Sequence, residues 1–386
     1  MTNLVVFSLE RWDNVWRRNQ ILLAGLLHAD PELRVLFVEP PEDPLHSLHT
    51  KHLPRLGRGV VRRGRRDGVP DGRLWTYQPT KWLPRRAGRA LGATVDERMA
   101  QSVMRAARRL RLVDPLLWVN DPAGATLVRL SAWPSLYDIT DDWLVAKRSP
   151  EQHAKLLSDE NLLLAACSAV VVCSPALAES KGTRRQVVLI PNAVDVEAFR
   201  EPRRRPVDLP REPIALYVGT VHADRIDLPL CVHLAEELNR SGHGTLVLVG
   251  PALLTSGQRA CLLAAGIVLL GARPHLDIPA YLQHAEVLVV PHVVDPFTDS
   301  LDPIKLYEYQ AIGRPVVSTP VAGFRDLKNP VTHIAEGSGF TEAVIGILLS
   351  PHLPTGPGPL MPGIPTWAER VVAMQKVLGG LRPLQM

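Results

Sequence analysis

Cysteine is scarce in this 386-residue chain: Cys167, Cys173, Cys231 and Cys261 form no CxxC pair and no zinc-ligand spacing. Their scarcity excludes a disulfide-stapled module and fits reduced, buried thiols in a cytoplasmic setting. Long apolar runs are missing too. None reaches the roughly 18–20 residues needed to span a bilayer. The start, MTNLVVFSLERWDN, has neither the basic head nor the apolar length of a signal peptide. Aromatic residues are few, at 5%, and none interleave with basic clusters as in a nucleic-acid reader, so no nucleic-acid partner is expected.

Hydrophobic residues make up 46% of the chain, enough for real cores, and the length suits two domains. Charge is unevenly placed. Residues 1–200 carry 29 Lys/Arg against 22 Asp/Glu, whereas residues 201–386 carry 15 against 17. Most of the excess lies in 51–89, with 12 basic and two acidic residues. Its centre, RLGRGVVRRGRRDGVPDGR, is too rich in glycine and charge for an amphipathic helix. Two readings follow: a solvated loop, or an electrostatic contact with an anionic partner, either membrane surface or acidic acceptor. The second places the protein in the cytoplasm with peripheral contact at the inner face of the membrane.

Short apolar runs alternate with helix-like segments. LVVFSL (4–9), RVLFVEP (34–40), LWTYQP (74–79), LLWVND (116–121), YDITDDW (137–143) and AVVVCS (169–174) read as strands separated by helices. The alternation restarts after EPRRRPVDLPREP (201–213), whose proline and charge suit a linker. IALYVGT (214–220), TLVLVGP (245–251), IVLLG (267–271), VLVVPH (287–292) and PVVST (315–319) follow. The pattern predicts an α/β protein with parallel sheets. Two Rossmann-like domains are expected, 1–200 and 201–365, facing a cleft, with a final helix in 366–386 returning to the first.

The stretch DSLDPIKLYEYQAIGRPVVST (299–319) carries the strongest local signal. Asp302 suits an N-cap, Pro303 the first helical position and Gly313 the position past the helix end. Lys305, near the third position, can reach an anion at the helix start, and Glu308 shares its face. A cation for phosphates and a carboxylate for ribose hydroxyls make a nucleotide-sugar clamp. The other reading is a surface ion pair.

This stretch resembles the donor-binding segment of GT-B glycosyltransferases of the group 1, retaining, type. YVGTVHADRIDL, LVLVGP, LLGARPHLDIPAYLQHAEVLVVPH and IPNAVDVEAF resemble their other C-terminal segments in order. FSLERWDNVWRRNQ and YDITDDW resemble one subgroup's N-terminal domain. The resemblance implies a hexosyltransferase that uses a nucleoside-diphosphate sugar, UDP-linked, as co-substrate and no further cofactor. The acceptor is a saccharide, a lipid-linked saccharide or a small molecule, in bacterial polysaccharide or antibiotic biosynthesis. Glu308 matches the glutamate that holds the donor ribose, and Lys305 a residue near the diphosphate. Ser300–Leu301 fall where many members keep a first glutamate. Gly219 and Thr220 match the phosphate loop, and His222 and Arg225 stand in for an arginine expected after it. Gly271 to Arg273 lie where main-chain groups meet the base. The absence of any Asp-x-Asp pattern argues against a metal-bridged diphosphate, leaving Lys305 and Arg225 to stabilise the leaving group.

In the first domain, Asp138, Asp141 and Asp142 follow a strand. They make either a hydrogen-bonded turn with a helix cap, or a base and acceptor contacts, with Asp141 as the base. Trp12 has two readings, stacking on a sugar face or packing in the core, and Arg18 is placed to meet the acceptor. Alternatives on the same fold are a sugar-nucleotide epimerase or hydrolase, and a catalytically inactive binding protein.

Overall fold

The computed structural model of the protein describes residues 3–44, 53, 55–81, 89–211, 213–350 and 356–381, apart from the side chains of 89–93. The chain divides into two compact units, Met1–Pro191 with Ala368–Met386, and Asn192–Trp367.

The first unit is built on eight strands. They are β1 (Asn3–Phe7), β2 (Arg34–Val38), β3 (Gly59–Arg63), β4 (Leu74–Gln78), β5 (Leu116–Val119), β6 (Ser135–Ile139), β7 (Ala169–Val172) and β8 (Val188–Leu189). Their order is β3-β4-β2-β1-β5-β6-β7-β8, parallel throughout except for β3 against β4. Central strands read as unbroken apolar runs because helices cover both faces. Leu4, Val5 and Val6 are wholly buried, and Val5 sits opposite Leu36 and Leu117. Chain order reverses between β1 and β5, the point at which open parallel sheets form a ligand crevice. The terminal helix Trp367–Gly380 belongs largely to this unit, and Val371 occupies the space a Cβ on Gly25 would need.

The basic stretch 51–89 departs from the loop reading. Residues 51, 52, 54 and 82–88 lie outside the described residues. Within the rest, β3 pairs antiparallel with β4 as the sheet's edge strand. Its arginines suit an edge, where charge discourages pairing with another chain. Several are tied down: Arg63 to Asp67 at 3.1 Å, Arg58 and Arg63 towards the buried Glu39, and Arg65 to Asp71.

The second unit holds β9 (Ile214–Val218), β10 (Val221–His222), β11 (Thr245–Val249), β12 (Ala252–Leu253), β13 (Val268–Gly271), β14 (Val287–Val290), β15 (Val316–Ser318) and β16 (Thr332–Ile334). Six form a parallel sheet in the order β13-β11-β9-β14-β15-β16, and β10 pairs with β12 apart from it. With the short pair set aside this is the dinucleotide-binding order, reversing between β9 and β14. The boundary falls at Pro191/Asn192, nine residues before the one the proline-rich segment suggests. The cause is packing. Phe199 enters the core of the second unit, and Arg200 donates to the carbonyl oxygen of Ala311 at 2.9 Å. Arg205 likewise donates to that of His284, so residues 201–211 of the segment are fastened down rather than a free linker.

Candidate functional site

In the second unit, β9 runs into a sharp turn. Gly219 has φ +148, and a Cβ there would lie 2.8 Å from Tyr217 Oη and 3.2 Å from Lys305 Nζ, so both backbone and space call for glycine. Gly250, after β11, presses on the Gly219 carbonyl, where a Cβ would lie 2.0 Å away. Tyr217 is the penultimate residue of β9 and His292 lies two residues past β14, the two strands at the reversal of strand order. Lys305 Nζ donates to Tyr217 Oη at 3.2 Å, meets His292 Nε2 at 3.3 Å and lies 4.8 Å from the Tyr217 ring centre. No carboxylate lies within ion-pairing distance of that ammonium among the described residues.

Burial, reinforced by the Arg225 guanidinium, pulls the Lys305 ammonium down to about 7, against the pull of Glu308. Burial and the same two cations hold His292 neutral. Arg225 is brought in because Ile226 bridges His292 and Val293 donates to the Arg225 carbonyl; its guanidinium stacks 5.3 Å from the Phe297 ring centre. Glu308 is buried, and its carboxyl has no hydrogen-bond or ion-pair partner among the described residues. Burial pushes it up to about 7, with Lys305 opposing.

The helix carrying Lys305 and Glu308 spans Ile304–Ile312 and ends at Gly313 in the left-handed conformation. Its start differs from expectation. Pro303 is the N-cap, which puts Lys305 at the second helical position, and no side chain caps the helix. The Asp302 carboxylate instead accepts from the Asn192 amide and from Tyr307 Oη at 2.7 Å, tying the first residue of the unit to the helix. Ser300 Oγ donates to the Phe297 carbonyl at 2.7 Å, and Leu301 is partly exposed beside it. Thr220 is partly exposed, and its carbonyl accepts from Tyr217 Oη. His222 Nδ1 accepts from the Asp224 amide, turning the ring towards that loop. Gly271 takes a left-handed turn with φ +74. The Arg273 guanidinium is engaged by Asp208 at 2.6 Å and Tyr281 Oη at 2.9 Å, which leaves the expectation for its main-chain groups as it stands.

The first unit corrects the acceptor reading. Trp12, Arg18, Asp138 and Asp142 are all buried. Trp12 packs edge-on to Phe37 and Trp16, so its ring serves the core rather than a sugar face. Arg18 lies 3.5 Å from Asp138, which also accepts from Trp118 Nε1 at 3.2 Å; burial raises the Asp138 carboxyl, and Arg18 opposes that rise. Asp142 pairs with the buried Lys181 at 3.0 Å, and Lys181 pairs with Glu160 at 2.9 Å. Asp141 is the aspartate of the three that reaches the surface, and it accepts from Thr140 Oγ1 at 3.1 Å.

Residues 212–349 match the family model described as glycosyl transferases group 1. A Bacillus subtilis protein provisionally assigned as a teichuronic acid biosynthesis glycosyltransferase, TuaH, is 23% identical over 236 residues. That alignment covers 56% of this chain and 58% of that protein. A trehalose-phosphate synthase (UDP-forming) from Burkholderia vietnamiensis superposes with TM-score 0.61 at 14% identity, over 97% of this chain and 96% of that one. The catalytic domain of Arabidopsis thaliana starch synthase IV, bound to ADP and acarbose, gives 0.56 at 10% identity, over 98% and 99%. The chain carries a group 1 glycosyltransferase domain on a GT-B fold.

Within this glycosyltransferase domain, sequence reasoning missed Tyr217 and His292. Both were within reach of one rule, since Tyr217 lies near the C-terminal end of β9 and His292 just past that of β14, the strands that flank the reversal of strand order. Asp299, beside Ser300, is engaged by Arg325 at 2.8 Å. Among the described residues, no helix is long and apolar enough to cross a membrane.

Proposed function

We propose that the protein transfers a hexosyl group from a UDP-linked sugar to an acceptor hydroxyl in bacterial glycan biosynthesis, with retention at the anomeric carbon. One observation carries the reading: a lysine with neutral partners and a buried glutamate without a hydrogen-bond partner among the described residues lie one helical turn apart beside the glycine turn at the reversal of strand order. Lys305, joined by Arg225, receives the diphosphate, and Gly219 and Thr220 let the backbone approach it closely. Glu308 accepts from the ribose hydroxyls. The base meets the main chain at Gly271, and Ser300–Leu301 border the sugar.

In the transfer, the bond from the anomeric carbon to the phosphate oxygen breaks, and its electron pair stays on the phosphate. Lys305 and Arg225 stabilise that developing charge. The acceptor oxygen bonds to the anomeric carbon, and its proton passes to the departing phosphate while Asp141 orients the hydroxyl. No cofactor or metal enters this scheme. The family match supports the donor half, and the relative's assignment to teichuronic acid biosynthesis supports a glycan acceptor. The reading places the enzyme in the cytoplasm, with the basic segment 51–89 touching anionic lipid.

A thermal-shift series with UDP, GDP, TDP and ADP tests it. UDP at a hundred times its Kd is expected to add about 2.7 kcal/mol of stability. A flat response to all four would overturn the reading.

A further inference from the structure

A surface pocket of about 350 Å³ opens in the first unit between the end of β4 and the helix Arg89–Arg109. Its floor is Met99 and Val95, both buried. Its rim holds Arg98, Ser102 and Arg105 from the helix, with Tyr77, Thr80 and Lys81 opposite. Arg98 and Arg105 are seven residues apart, two turns of one helix face, about 10.5 Å along the axis. Both are exposed, and neither has an ion pair or hydrogen bond among the described residues. Their helix neighbours are otherwise engaged: Asp96 holds Lys155, and Glu97 holds Arg129. Lys81 is paired with Asp43 at 2.6 Å, so the rim carries three cations against one carboxylate.

We propose that this pocket binds the anionic group of a saccharide, carboxylate or phosphate. Two uncommitted guanidinium forks match either group, since their N–H donors pair with two oxygens at once. Ser102 Oγ donates to the Met99 carbonyl and keeps acceptor capacity for a sugar hydroxyl. The Tyr77 ring and the apolar floor suit the face of a sugar ring. The volume lies at the small end of the range for small-molecule sites, which is room for a single sugar unit. Calling that sugar an acceptor rests on the glycosyltransferase reading; its binding does not.

Methyl glucuronide, glucose 1-phosphate and methyl glucoside, titrated against the full chain by ligand-detected NMR, test the proposal. At least one charged sugar is expected to bind about tenfold or more tighter than methyl glucoside, and the stronger one identifies the anionic group. Arg98→Ala with Arg105→Ala should remove that difference, and Arg98→Lys with Arg105→Lys should restore part of it. Equal binding of all three sugars, or an unchanged preference in the alanine pair, would overturn the site. Flotation with vesicles of phosphatidylglycerol and phosphatidylcholine separates the sources. If the alanine pair loses flotation while the sugars are not told apart, the anion is a lipid headgroup and the proposal fails. UDP-induced stabilisation of the alanine pair shows it folded and leaves the donor reading untouched by any of these results. Should that pair not fold, Arg98→Gln with Arg105→Gln carries the same comparison.

Discussion

Both units bury charge at the ends of parallel strands, but they treat it in opposite ways. In the first, every buried charge described above meets its complement: Arg18 with Asp138, Lys181 with Asp142 and Glu160, Glu39 with two arginines. In the second, Lys305 has a tyrosine, a neutral histidine and a nearby arginine, and Glu308 has no hydrogen-bond or ion-pair partner among the described residues. Complementary charges fix a structure. Uncompensated ones leave it with work to do on a ligand, here an anion and a hydroxyl-bearing ring. The acidic triplet that looked catalytic in the sequence serves mostly the first purpose.

Charge removal in each unit breaks or sharpens that contrast. Lys181→Ala leaves Asp142 and Glu160 buried without their cation and should cost about 3–5 kcal/mol of stability in denaturant titration. A loss under about 1 kcal/mol would mean that the triad is not buried as described. Glu308→Ala should leave the fold intact and remove about 2 kcal/mol or more of donor binding or catalysis, the scale of a charged hydrogen bond. Near-parental kcat/KM with the nucleotide sugar would sink the ribose role.

The pH dependence of binding is next in size. An anion beside Lys305 raises its pKa from about 7, so binding takes up a proton. Affinity for UDP is therefore highest below pH 7 and falls as pH climbs through it, by at most about tenfold per unit for one linked proton. A ribose hydroxyl donating to Glu308 favours the carboxylate and works the other way. Calorimetry on Glu308→Gln isolates the lysine, and a flat profile there would remove Lys305 from the diphosphate.

The smallest effect is on the empty protein. Because the folded Lys305 pKa lies below the ordinary 10.5, the unfolded chain binds the extra proton between about 7 and 10.5, so stability rises across that window. Because the Glu308 pKa lies above 4.5, stability falls from there towards 7. Lys305→Met with Glu308→Gln should thus be more stable than the parent, most clearly near pH 7, by about 2 °C in Tm. A lower Tm at that pH would show that the pair supports the fold.

Strand positions and the parallel architecture were legible because the apolar runs are uninterrupted, and Lys305 and Glu308 because helical spacing puts them on one face. The cap was misread for a reason local pattern cannot supply. Asp302 has the right chemistry for Pro303's position, but Asn192, distant in sequence, captures its carboxylate first. Asp138 and Asp142 were misread likewise, since Arg18 and Lys181 reach them from other elements. The basic stretch hid a strand because its spacing of arginine and glycine masks the alternation of VVRR along an edge. A polar residue's role depends on who arrives beside it, and spacing within one segment does not report that.

The seating of Val371 over Gly25 bears on how the chain is made. The first unit is interrupted in sequence by the whole of the second, since residues 368–386 belong with 1–191. Synthesis runs from the N-terminus and domains fold as units. The ribosome therefore releases a finished second unit while the first still has an open face over the helix Arg18–Ala29. Closure of the glycine notch must wait for Val371, so this face of the first unit is completed only after the whole of the second has been made.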